Sequence, residues 1–147
     1  MTICCKGELI DLSRPRVMGI LNCTPDSFYD GGKYWDPYVG FRQAEAMLKE
    51  GADLIDVGGY SSRPGAPDVS EKEELKRVLP VIEGLVEEFP EVRISVDTFR
   101  SQVAREALDA GAAMVNDISA GLRDPQMLPL VADRQVPYVM MHMKGTP

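Results

Sequence analysis

The feature that most constrains this chain is a regular alternation of short apolar runs with amphipathic stretches along nearly its whole length. Residues 2–5 and 8–12 flank Lys6-Gly7 and read as an opening hairpin. An apolar run at 17–21 reads as a strand. Asp36-Pro37 then offers a side-chain acceptor at an N-cap and a proline at N1, with Phe41, Ala44, Met47 and Leu48 on one helical face and Gly51 as the stop. A strand at 53–57 leads into a Gly/Ser/Pro-rich loop, and Ser70-x-x-Glu73 is a capping box for a longer helix. That helix carries Leu75, Val78, Leu79, Ile82, Leu85 and Val86, with Pro80 expected to kink it. A strand at 92–96, a helix at 101–110, a strand from 113–115, a helix opening at Asp124-Pro125 and a strand at 136–141 complete the order.

Alternating strands and helices predict a parallel sheet with right-handed crossovers. Continuous apolar strands predict a sheet covered on both faces or filled inside. Two architectures satisfy this: a doubly wound five-stranded sheet, or about half of an eight-stranded (β/α)8 barrel. Asn22, Asp56, Asp97, Asn116-Asp117 and His142 all fall at strand C-terminal ends. Polar groups on every strand end favour the barrel, whose catalytic face lies there, over a sheet with one switch point. The phrases Glu50-Gly51-Ala52 and Ala110-Gly111-Ala112, each before a strand, fit helices returning to the bottom of one barrel.

Composition narrows the class of function. At 44% hydrophobic and 27% charged over 147 residues, one globular domain is expected. A net charge of −7 excludes a nucleic-acid partner as the simplest reading, since phosphates attract basic surfaces. No apolar run approaches the ~20 residues that span a bilayer, and Lys6, Glu8 and Asp11 interrupt anything resembling a signal peptide. Three cysteines form neither a disulfide framework nor a zinc spacing, so a reducing cytoplasm is the expected setting. Cys23 reads better as a small core residue than as a reactive thiol.

Four segments carry candidate chemistry. In the first, Asn22 offers an oxygen to a hard cation such as magnesium, which keeps waters and phosphate oxygens as its other ligands; Asn22, Thr24 and Asp26 also suit a plain turn. Gly31-Gly32 would let that loop hinge. The second, from Asp56 to Gly65, combines glycines, the hydroxyls of Ser61 and Ser62, and Arg63, which suits an anion or a solvated loop. No phosphate-binding lysine loop or GxGxxG is present, so nucleotide folds gain no support. The third and fourth end in Asp97 and Asn116-Asp117. A carboxylate closing a buried apolar strand is costly unless something binds it, so for Asp97 a binding role outweighs capping of the next helix, whereas Asp117 suits a turn equally well. Asp97 and Asn116 together suit a flat heterocycle with alternating N–H groups and lone pairs. His142 reads as an orienting strand-end residue, and Met141 as an apolar wall. The acidic residues at 71–74 and 87–88 read as a solvated helix face.

In order and spacing, MGILNCTPDSFYDGG, DVGGYSSRPG, ISVDT, NDIS and MMHMKGTP resemble the strand-end motifs of dihydropteroate synthases. The resemblance implies a (β/α)8 barrel, of which residues 1–147 would form about the first half: a hairpin, four βα units and a fifth strand. It implies condensation of a dihydropterin methyl diphosphate with 4-aminobenzoate, with Mg2+ and release of pyrophosphate. Asn22 would match the magnesium ligand, Ser62 and Arg63 residues that contact substrate, and Asp97 and Asn116 residues that hold the pterin. Asp26, Ser27 and Phe28 would lie in the first loop, which helps to form the aminobenzoate site. Asp97 and Arg63 are the candidate catalytic groups. Tyr60 departs from a common glutamate and Ser62 from a common threonine.

The family's later aspartate, its lysine and its Arg-x-His pair have no counterpart in this sequence. Taken alone, the chain is therefore expected to be inactive and to self-associate through open strand edges; a homodimer is the other expected assembly. Two competing readings are a pterin-dependent methyltransferase acting on a corrinoid, and a non-catalytic half-barrel that binds a pterin or assembles with a partner.

Overall fold

A computed structural model of the protein describes residues 1–24, 36–61 and 68–144. The chain opens with β1 (Thr2–Cys5) and β2 (Glu8–Asp11), followed by β3 (Met18–Asn22), α1 (Pro37–Lys49) and β4 (Leu54–Gly58). Next come α2 (Glu71–Glu88), β5 (Ile94–Asp97), α3 (Ser101–Asp109), β6 (Met114–Asp117), α4 (Met127–Arg134) and β7 (Tyr138–Met140). β1 and β2 pair antiparallel with Cys5 opposite Glu8. Their two-residue turn, Lys6-Gly7, takes positive φ at both positions (53° and 76°), which matches the twist of the flanking strands.

The remaining five strands form one sheet in the order β3-β4-β5-β6-β7, with every neighbouring pair parallel. Chain order without a reversal decides between the two expected architectures. Right-handed crossovers that always step the same way put each helix on the same face; a doubly wound sheet needs a switch point, and this sheet has none. This is barrel winding, and β3 and β7 are the edges of the described sheet.

Strand alternation then sorts the side chains. One face packs Leu21, Ile55, Val57, Ile94, Val96 and Val115 against the helices in a continuous core. From the helices come Ala44 of α1, Val78, Ile82 and Leu85 of α2, Val103 and Ala107 of α3, and Met127 and Leu130 of α4. The expected unbroken apolar strands are apolar on this face, while on the other β4, β5 and β6 carry Asp56, Ser95 and Asn116, which are nevertheless buried. The hairpin sits at the N-terminal end of the sheet. There Cys5 Sγ donates to the Ala113 carbonyl at 3.6 Å, Lys6 Nζ to that of Val92 at 3.4 Å, and Arg93 pairs with Glu8 at 2.7 Å.

The helix signals hold with two corrections. Asp36 caps α1 by accepting from Tyr38 N at 3.0 Å, and Ser70 caps α2 by accepting from Glu73 N at 3.2 Å. The two Gly-Ala phrases close their helices identically: Gly51 N reaches Leu48 O and Ala52 N reaches Met47 O, as Gly111 N reaches Leu108 O and Ala112 N reaches Ala107 O. Pro80 lies within α2, which continues through it. α4 starts at Met127, later than Asp124-Pro125 suggests. Asp124 is shared instead: one oxygen accepts from Gln126 N at 2.9 Å, while the other accepts from Ser101 N at 2.7 Å and caps α3, whose own N-cap, Arg100, provides no acceptor.

The second correction concerns the acidic start of α2. Glu74 is fully buried rather than solvated, because it lies four residues before Val78 on the stripe that faces the sheet. Arg100 meets it as an ion pair, donates to Val69 O at 2.7 Å, and stacks on Tyr60 and Phe99 at 5.4 and 4.9 Å from the ring centroids. Among the described residues no helix is long and apolar enough to cross a membrane. Removing one partner of a buried ion pair leaves a charge without compensation, so Arg100→Met is expected to lower stability by about 3 kcal/mol in urea unfolding; a loss within the range of a surface substitution would contradict this role.

Candidate active site

Pairing in register builds one polar rung across the C-terminal end of the sheet: Asn22 beside Gly58, Gly58 beside Asp97, Asp97 beside Asn116, and Asn116 beside Val139. Paired residues of parallel strands present their side chains to the same face, here the face away from the helices. One step down, Ile20, Asp56 and Ser95 are paired in the same way. Gly58 is the gap in the rung. A Cβ there would lie 3.3 Å from Asp97 Cβ and 3.4 Å from its Oδ2, so glycine leaves that space to the carboxylate.

The expected neighbours Asp97 and Asn116 are thus brought side by side. Asp97 caps nothing: Arg100 N donates to Thr98 Oγ1 at 3.1 Å, and Asp124 supplies the α3 cap. Asp117 is the opposite case. Its carboxylate accepts from Ser119 N and Oγ, Gly121 N and Tyr138 OH, all at 2.7–2.8 Å, so it locks the turn after β6 from the helix side. Burial and that bond raise the Tyr138 phenol above its ordinary range. Asn22 is exposed at the open edge of the rung. Met141 continues the β7 ladder by donating from its N to Asp117 O at 3.1 Å, and its side chain is 41% exposed. His142 follows, also exposed. Cys23 is buried in the core, where desolvation pushes its thiol up to about 12, which removes the reactive-thiol reading.

Ser27, Phe28, Ser62 and Arg63 lie outside the described residues, as do Asp26 and Gly31-Gly32. Tyr60, just before the second of these segments, meets Phe99 edge-on at 5.1 Å and lies under Arg100. The tyrosine thereby joins an aromatic–cation cluster. Arg123 covers the same phenylalanine at 3.8 Å.

Of the floor residues, Ser95 escaped sequence reasoning, and Asp56 entered it as a polar strand-end group without a role of its own. Asn116 Nδ2 donates to Asp56 Oδ2 at 2.9 Å, while Asp56 Oδ1, Asn116 Oδ1 and Ser95 Oγ are buried without a hydrogen-bond partner. The period-two pattern of Ile-Asp-Val and Ile-Ser-Val was the available signal, since it puts both polar residues opposite the core. Burial raises the Asp56 carboxyl, partly offset by the neighbouring Ser95 hydroxyl and Asn116 amide; Ser95 Oγ itself stays outside hydrogen-bond geometry. Burial also lifts Asp97 to about 7, helped by the negative charges of Asp56, Glu74 and Asp117. The floor is rich in acceptors, and unpaired buried acceptors favour a ligand that brings N–H donors.

Because Asp97 ionises far less readily folded than unfolded, its ionisation opposes folding. This contribution is absent below the unfolded value near pH 4, erodes stability as pH rises towards 7, and is constant above. Asp97→Asn should therefore be more stable than the parent at pH 8 by on the order of 2 kcal/mol. Near pH 4 the two should be alike in urea unfolding, and a pH-independent difference would contradict the assignment.

The chain matches the pterin binding enzyme family over residues 18–147. It is 50% identical to a dihydropteroate synthase of Synechocystis over 134 residues, covering 91% of this chain and 46% of that protein. Among solved structures, the dihydropteroate synthase of Xanthomonas albilineans with 4-aminobenzoic acid superposes with a TM-score of 0.90 at 50% identity, over 98% of this chain and 52% of the other. The same enzyme in complex with 7,8-dihydropteroate gives 0.86 at 46%, over 98% and 52%. That of Yersinia pestis, in a sulfonamide drug complex, gives 0.90 at 48%, over 100% and 53%. The chain spans about half the length of these relatives. With the family matched over nearly all of its length and its strand-end rung formed, this chain belongs to the pterin binding enzymes and has their barrel winding.

Proposed function

We propose that the protein of which this chain forms the N-terminal part is a dihydropteroate synthase of folate biosynthesis. It would join (7,8-dihydropterin-6-yl)methyl diphosphate to 4-aminobenzoate, giving 7,8-dihydropteroate and pyrophosphate. The observation that carries this is the floor of Asp97 and Asn116, paired across β5 and β6, with Asn116 Oδ1 and the neighbouring Asp56 Oδ1 buried and unfilled. The likeness to enzymes solved with 4-aminobenzoic acid and with dihydropteroate supports it.

In this reading the methylene C–O bond breaks with its electron pair going to diphosphate. The aminobenzoate nitrogen forms the new C–N bond and releases a proton. No protein nucleophile is needed, so the task is to stabilise opposite charges that develop in the transition state. Ionised Asp97, accepting from a ring N–H, offsets positive charge on the pterin. Ser62 and Arg63 would engage the substrates, Ser27 and Phe28 the aminobenzoate, and Met141 would cover the ring. Among the described residues no cluster of carboxylates, histidines or cysteines could hold a metal by itself. The one candidate, Asn22, is a neutral oxygen donor, which fits magnesium bound mainly through water and phosphate oxygens. When bound, the ion would neutralise charge on the leaving diphosphate. A cytoplasmic enzyme of the sulfonamide-target class is part of the same proposal.

Within the described residues the apolar edges of β3 and β7 are uncovered, with Ile20 and Met140 each 61% exposed. We extend the proposal to the chain by itself: inactive, and self-associating through these edges. A clean monomer in sedimentation would contradict the second part. For the full-length protein, pyrophosphate release should require both substrates, and Asp97→Ala should lower kcat/KM for the pterin substrate by about 100-fold. Turnover untouched by that substitution, or methyl transfer to a corrinoid without pyrophosphate, would overturn the reading.

A further inference from the structure

The floor contains a hydrogen bond that crosses a strand. Asp56 is on β4 and Asn116 on β6, with β5 between them, yet Asn116 Nδ2 reaches Asp56 Oδ2 at 2.9 Å. Ser95 is the residue of β5 paired with Asp56. It is fully buried, and its small side chain leaves room for the two to meet. Both partners are themselves nearly inaccessible, Asp56 at 3% and Asn116 at 7% exposure.

The chemistry of this contact is asymmetric. The two ends of an asparagine amide are almost the same shape but opposite in function, so packing alone chooses poorly between them. Asp56 Oδ2 is the acceptor of this bond. It therefore takes the NH2 end and leaves Asn116 Oδ1, buried and unpaired, as the end available to a ligand. That oxygen then stands beside the Asp97 carboxylate in the rung, and the two acceptors match two neighbouring N–H donors on one heterocycle edge.

We propose that Asp56 is a positioning residue that fixes the amide of Asn116 oxygen-outward, making the floor selective for a heterocycle edge that presents adjacent N–H donors. This rests on the pterin reading above. Asp56 acts through Asn116 and need not touch the substrate. Ser95 completes the device by size: a larger residue would hold the carboxylate and the amide apart.

The test uses the full-length protein and a 6-substituted 7,8-dihydropterin as the probe, with binding followed by calorimetry and 4-aminobenzoate by its KM. Asp56→Ala should weaken pterin binding about tenfold, the worth of a well-placed hydrogen bond, and shift the 4-aminobenzoate KM less than about twofold. In an Asn116→Ala background the same change should cost less than about twofold, because its effect travels through the amide. Asn116→Asp sets two carboxylates against each other and should bind pterin poorly; adding Asp56→Asn restores a donor–acceptor pair with its ends exchanged and should recover about tenfold. Equal losses from Asp56→Ala in both backgrounds, no loss at all, or no recovery in the exchanged pair would overturn the role of Asp56. Should Asp56→Ala not fold, the near-isosteric exchanged pair decides alone. A parent protein that binds no dihydropterin overturns the pterin reading together with this inference, whereas normal parent binding with an unresponsive Asp56 overturns the inference only.

Discussion

Winding parallel strands in chain order commits every helix to one side of the sheet, and the rest of this structure follows from that constraint. Once β3 to β7 step in a single direction, the alternation of side chains must give one face to the helices. The other face is left to whatever the remaining positions carry. Leu21, Val57, Val96 and Val115 take the first. Asn22, Gly58, Asp97 and Asn116 take the second, and they meet in one rung because the strands are in register at their C-terminal ends.

That arrangement is expensive, and the expense is informative. Buried polar atoms without partners cost stability, yet three of them cluster in the floor. Asp97 is held at about 7 by burial and by three neighbouring acids. Buried acids elsewhere are handled differently: Glu74 meets Arg100 through Oε2 while its Oε1 stays without a hydrogen-bond partner, and Asp117 fills its capacity with turn amides, a serine hydroxyl and Tyr138. A ligand offering N–H groups would convert the uncompensated set into a satisfied one.

Much of this was legible in the sequence because it depends on local rules. The Lys6-Gly7 turn, the caps at Asp36 and Ser70, and the paired glycine stops each involve residues within a few positions of one another. The placing of Asn22, Asp97 and Asn116 at strand ends was equally visible. What was hidden depends on distant partners. Asp56 and Asn116 are sixty residues apart, and only the register across β5 shows that they meet. Asp124 looked like the cap of its own helix, but α3, lacking an acceptor at its start, recruits it as well. Glu74 was masked by its acidic neighbours; its spacing from Val78 pointed inward, and the weight of local charge pointed outward.

The polar rung is proposed as a pterin floor, and a crystal structure of the full-length protein with a 7,8-dihydropterin bound would show the contacts themselves. Ring N–H groups are expected within hydrogen-bond distance, about 2.7–3.2 Å, of the Asp97 carboxylate and of Asn116 Oδ1, with the Asn116 amide nitrogen still on Asp56. A pterin seated elsewhere, or one that meets Asn116 through its amide nitrogen, would contradict it.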